Sequence, residues 1–233
     1  MKLHTIVLAM AMLVTACAAT DPRVDHWSQV LLNSPGNFSD QLRALDALVY
    51  IGDHRAVPAV IAYGEDERGV SAIDALAYLG GDEAKQYLYQ KRKELEQVPE
   101  VQHCDGSGMD DLEYAHVIAA LSALGEDVDL SYLYETLLSD DKGCAAAAAG
   151  ALGLVPGEKT EQVLKAYLYN SPEGMQMPRS FAAHSLVEID ADNVRLLLMD
   201  LVENDLLYLD SYTDCIDQYW MQRCGLRCLE SDK

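Results

Sequence analysis

The side chains able to do chemistry are few and widely spaced. Beyond the first residues the histidines are His26, His54, His103, His116 and His184, no two of them within a metal-binding spacing of each other. No His-Glu-x-x-His, Gly-x-Ser-x-Gly, Walker A or Gly-x-Gly-x-x-Gly pattern occurs. Nucleophilic catalysis needs a base within about 3 Å of its nucleophile, and scattered residues do not establish that. His184-Ser185 lies inside a helical pattern and reads as a packed or surface pair. The cysteines are Cys17, Cys104, Cys144, Cys215, Cys224 and Cys228. Cys224-x3-Cys228 lacks the Cys-x2-Cys spacing of a zinc site and has no histidine beside it. The residues predict no enzyme, no metal and no cofactor.

The first sixteen residues explain one cysteine. Lys2 precedes an apolar run, Thr5 to Val14, of ten residues. A bilayer of roughly 30 Å needs about 20 residues of helix, so this run suits a signal peptide instead. It ends in Val14-Thr15-Ala16-Cys17. These residues resemble the lipobox of bacterial lipoproteins. The resemblance implies cleavage before Cys17, a diacylglycerol thioether on its sulfur and acylation of its new amine, palmitate being a common chain. Ala18 follows, and a non-acidic residue there implies sorting to the outer membrane, on its periplasmic face. Two or more acyl chains hold a protein stably at a membrane. The expected organisation is a signal peptide over 1–16, a lipidated tether over 17–25 and a folded body over 26–233.

Removing residues 1–16 leaves 217 of 233, with 16 basic against 38 acidic residues, a net charge of −22. That field disfavours nucleic acid and anionic lipid headgroups and favours a cationic partner or simple solubility. Half of the residues are hydrophobic, enough for a sizeable core.

The elements that position these residues form a repeat. Five stretches, 47–53, 75–81, 120–126, 151–157 and 185–191, align on Leu48, Leu76, Leu121, Leu152 and Leu186. Offsets −4, −3, 0 and +3 are apolar in every row, one face of a helix. Offset −1 is always Ala or Ser. Gly52, Gly80, Gly125, Pro156 and Asp190 then stop each helix, and Asp53, Asp82, Asp127 and Asp192 are placed to cap a second one. The leucine spacings are 28, 45, 31 and 34. This arrangement resembles HEAT-like repeats of the short, Ala-rich kind found in bilin lyases. Residues 64–82 and 177–190 are nearest the pattern, and Arg179 alone keeps its arginine. The resemblance, over about residues 40–205, implies an all-α, right-handed solenoid of about five helix pairs. Residues 24–33 read as an N-terminal capping helix and 206–233 as a C-terminal cap.

The 45-residue spacing marks an insertion over about 98–111, read as a loop. Its Asp105 to Asp111 segment weakly resembles a calcium loop. Met109 stands at a ligand position, however, and Asp110 where the turn glycine belongs. An exported chain meets an oxidising compartment, so disulfides are the default. Cys104 with Cys144 would pin the loop, and Cys215 with Cys224 or Cys228 would staple the cap.

Tyr-Leu-Tyr recurs at Tyr87–Tyr89, Tyr132–Tyr134 and Tyr167–Tyr169, all in second helices. In HEAT-type solenoids the second helices line the concave face. Tyrosines there would suit recognition of a protein or peptide, or would simply bridge core and solvent. Many of the basic residues (Arg55, Lys85, Lys91, Arg92, Lys93, Lys159, Lys165 and Arg195) stand in or beside the same helices. The functional expectation is a membrane-anchored periplasmic scaffold. The alternatives are an immunity protein against a cationic toxin and a lyase or hydrolase with a groove site. Replacing Cys17 with Ser should leave the precursor uncleaved and free of acyl label, read by metabolic palmitate labelling and mass. A cleaved, label-free C17S chain would mean an ordinary signal peptide.

Overall fold

The computed structural model describes residues 21–206 except 35, 66–68, 99–108, 190–193 and 205. Among them are eleven α-helices and no strand. No helix there is long and apolar enough to cross a membrane. Helix α1 (Pro22–Asn33) opens the row. Ten more follow, first and second helices alternating along the chain: α2 (Phe38–Ile51) then α3 (Val57–Gly64), α4 (Gly69–Leu79) then α5 (Asp82–Leu95), α6 (Met109–Ala123) then α7 (Ser131–Leu137), α8 (Lys142–Ala151) then α9 (Glu158–Asn170), and α10 (Gln176–Glu188) then α11 (Val194–Glu203).

The repeat alignment predicts the core. Leu48, Leu76, Leu121, Leu152 and Leu186 are all fully buried, as are Ala44, Ala72, Val117, Ala148 and Ala182 four residues before them. Fully burying a leucine contributes about 1.5–3 kcal/mol, so this row is the main stabilising spine. The helix stops also act as read. Gly52, Gly80 and Gly125 have φ of 68°, 68° and 81°, the left-handed conformation that ends a helix cheaply only in glycine. Before Pro156 the α8 backbone tightens into a 3₁₀ turn over Leu152–Leu154.

Three local expectations need correction. Asp53 caps as predicted, accepting from the Arg55 N–H at 3.0 Å. Asp82 does not: Gly81 holds the cap position and Asp82 lies in the first turn, where its charge favours the helix dipole. In the third pair Asp129, not Asp127, accepts from the Ser131 N–H at 2.9 Å and hydroxyl at 2.8 Å. The insertion loop was expected to reach 111, but α6 begins at Met109, with Asp110 and Asp111 in its acidic first turn. Asp190, Asp192 and the cap over 207–233 lie outside the described residues.

Successive first helices pack on one another along the row: α2 on α4, α4 on α6, α6 on α8 and α8 on α10. Each second helix packs on the first helix that follows it, α3 on α4, α5 on α6, α7 on α8 and α9 on α10, whereas second helices approach one another less. Composition gives the reason. Helix α8 carries Ala145 to Ala149, all buried, so α6 and α10 close in on both sides of it.

Arg179 joins one pair to the next. It is 5 % exposed and donates to the Ser171 hydroxyl at 2.7 Å, the Ser171 carbonyl at 2.6 Å and the Pro172 carbonyl at 3.4 Å. These acceptors sit at the end of α9, where carbonyls have no helical partner. Arg179→Met should cost about 2–3 kcal/mol by stranding them. Urea unfolding would report it as a lower midpoint with unchanged slope.

Candidate functional site

A cavity of about 310 Å³ opens on the first helices. Its lining is Asp74 from α4, His116 from α6, Gly150 from α8, and Ser180, Phe181, His184, Ser185 and Glu188 from α10. Four consecutive first helices line this one site, as a row curling toward that side would bring them to do. The cavity thus opens on the first-helix side, whereas the repeat resemblance implies a binding face of second helices. Ala and Gly let the first helices close up, whereas the second helices carry Tyr, Leu and Lys and stay apart.

At the centre His116 Nδ1 lies 2.6 Å from Asp74 Oδ1. The carboxylate accepts, so the geometry places a proton on Nδ1, and in the neutral ring Nε2 carries the lone pair. His116 is 6 % exposed. Gly150 borders it: a Cβ there would stand in ordinary contact, 3.6 Å from His116 Nε2 and 3.4 Å from the Phe181 ring. His184 repeats the tautomer, its Nδ1 donating to the Ser180 carbonyl at 2.8 Å. The Ser185 hydroxyl donates to the Ala149 carbonyl at 2.7 Å and so serves the helix contact. The Glu188 carboxylate extends across Gly153, where any Cβ would collide with it.

Tyr78 of α4 does not line the cavity but lies within reach of its carboxylates. Desolvation, then the charges of Glu188 and Asp74, push its hydroxyl up to about 12. The residue as a whole is 56 % exposed, so the ring spans from solvent to the acidic floor. Asp74 and Glu188 lie on the second and fifth pairs, and both act on one phenol.

No family model, curated protein or solved structure matches this chain. Its chemistry is therefore read from this geometry alone.

None of the six tyrosines singled out from the sequence lines the cavity. Most tie neighbouring pairs together. Tyr89 donates to Glu126 at 2.6 Å, Tyr169 donates to Asp200 at 2.6 Å, and Tyr134 meets the Thr160 hydroxyl at 3.3 Å. Tyr132 packs edge-on against Tyr114 with ring centroids 5.1 Å apart. Tyr167 is buried, and the Tyr87 hydroxyl lies over Gly64. The leucines between them, Leu88, Leu133 and Leu168, are fully buried.

The basic residues do not form an open strip either. Lys85 pairs with Glu126 at 2.6 Å, Lys91 with Glu113 at 2.8 Å, Arg92 with Glu96 at 2.7 Å and Arg55 with Asp53 at 2.8 Å. Lys165 pairs with Glu161, and the Lys159 ammonium sits 4.2 Å over the Tyr134 ring. Cys144 is disulfide-bonded, and its partner lies outside the described residues, as do Cys17, Cys104, Cys215, Cys224 and Cys228. Among the described residues no cluster of three His, Cys, Asp or Glu has metal-binding geometry.

Sequence reading missed the cavity, yet a signal existed. Counted from the aligned leucines, six of its eight lining residues fall in three columns: His116 and Phe181 at −5, Asp74, Gly150 and His184 at −2, and Glu188 at +2. Those offsets share the helix face opposite the apolar stripe. Asp74→Ala should leave the buried imidazole without its acceptor and cost about 1–3 kcal/mol. Chemical denaturation of the mature protein measures it, and an unchanged midpoint would mean the pair does not form.

Proposed function

We propose that this chain is an exported lipoprotein, anchored through Cys17 to the periplasmic face of the outer membrane, that binds a polypeptide partner along its first-helix groove. In this reading the helix pairs form a right-handed HEAT-like solenoid of about five units, closed by capping segments at both ends. The supporting observation is the concave cavity whose walls come from four successive first helices. A repeat array offers such a surface only when its units are stacked. The mature charge of −22 and the carboxylates of Asp74 and Glu188 in the groove favour a cationic partner. The six second-helix tyrosines then serve chiefly to hold the array together.

A second reading, hydrolase or lyase chemistry in the same cavity, draws on the Asp74–His116 pair. An imidazole held by a carboxylate with Nε2 open is the geometry of a general base. It stands second because the buried serine beside it, Ser185, spends its hydroxyl proton on the Ala149 carbonyl.

A photo-crosslinking side chain at position 78 or 181 should capture one reproducible polypeptide in intact cells, and the same group at position 89 should not. Capture from 89 alone would move the partner to the tyrosine rows. Capture from none of the three would remove the scaffold reading.

A further inference from the structure

We propose that the first-helix cavity is a socket for one guanidinium group, an arginine side chain presented by the polypeptide partner. This rests on the groove being a polypeptide-binding surface and adds which side chain it reads.

Beside the apolar surface of Phe181, the polar groups of the lining are mostly acceptors, the Ser180 hydroxyl being able to donate as well. His116 and His184 both commit Nδ1 to a neighbour, and among the described hydrogen bonds neither uses Nε2. Asp74 gives Oδ1 to His116 and keeps Oδ2 for a ligand. The Glu188 carboxylate completes the wall. The Ser185 proton is already given to Ala149. Among the described residues no Lys or Arg lines the space. An anion would meet like charge, and a carbonyl compound would find little to donate to it. A group with several N–H bonds satisfies such a wall.

Shape selects among cations. The acceptors are spread over α4, α6 and α10 instead of converging on a point, and Phe181, 46 % exposed, supplies a flat face. A planar guanidinium fans five N–H groups across spread acceptors and stacks on an aromatic ring, whereas an ammonium is a compact point charge. About 310 Å³ takes one long side chain and excludes a folded segment. Gly150 lies between His116 and Phe181: an alanine methyl there would stand against His116 Nε2 and the Phe181 ring at ordinary contact distance, covering the nitrogen and the ring edge without altering a charge.

The experiment uses the full mature lipoprotein in detergent micelles. The probes are fluorescent, end-blocked pentapeptides, Gly-Gly-Xaa-Gly-Gly, with Xaa arginine, lysine or citrulline. The arginine peptide should bind at least roughly tenfold more tightly than the lysine peptide, and the neutral citrulline peptide should not bind measurably. Gly150→Ala should weaken the arginine peptide by roughly tenfold or more with no loss of thermal stability, since alanine is the better helix former. Asp74→Asn should weaken it similarly. Equal affinity for arginine and lysine, or undiminished binding in G150A, overturns the socket. Arginine amide binding as tightly as the peptide would assign the cavity to a small molecule and overturn the polypeptide source. If G150A still crosslinks its cellular partner through position 78, the scaffold reading survives and only the socket fails.

Discussion

The arrangement depends on how closely the first helices approach one another. Leucines at the aligned position bury fully in every pair, but they would do so in a straight stack as well. The bend comes from the residues around them. Alanine or serine stands at offset −1 throughout, and in α8 nearly every side chain is a methyl group or less. Alanine buries little area, so these positions add less to the hydrophobic term than leucine would. What they permit is backbone proximity. With small side chains on one side of each pair and Tyr, Leu and Lys on the other, equal packing density on both sides forces the row to curve.

Curvature then decides which side chains meet. Asp74 and Glu188 are 114 positions apart in the sequence, yet both raise the pKa of the same tyrosine. On a straight stack each would be an ordinary solvated carboxylate on the outer face of a helix. On the curled row they share a wall with two imidazoles. Polarity follows as well: Lys85, Lys91 and Arg92 of α5 are matched to carboxylates, whereas among the described residues no basic side chain lines the groove.

This also explains what the amino-acid pattern reveals and what it hides. Helix class, the apolar stripe and the glycine stops are local, and each was legible: a side chain at offset 0 has to be buried whatever the neighbouring units do. The cap positions were only partly legible: Gly81 takes the cap ahead of Asp82, Asp129 competes with Asp127 two residues away, and turn geometry decides both. The cavity was not legible in one row at a time. A polar residue at offset −2 looks like any exposed helix position, and the same column holds Asp46, Asp74, Ala119, Gly150 and His184. Its meaning depends on the distance to the next helix, which periodicity does not encode. The Tyr-Leu-Tyr motif drew attention because it repeats within the sequence, but its regularity reflects a repeated packing task between second helices.

A site assembled from four pairs differs from a pocket inside one unit. In a linear array stability is close to a sum of unit and neighbour contributions, so the ends can loosen while the middle holds. Opening any interface between α4 and α10 would separate Asp74 from Ser180, Phe181 and Glu188 and dissolve the cavity. A ligand that binds only the assembled wall must therefore stabilise every interface between those helices at once, by its own binding free energy. The tyrosine and lysine ties on the second helices oppose the same opening from the other side: Lys85 and Tyr89 both clamp Glu126, and Tyr169 clamps Asp200. The two faces thus divide the work, one holding the curl and the other using it. A substitution on the second helices can in this way alter recognition in a groove that it never touches.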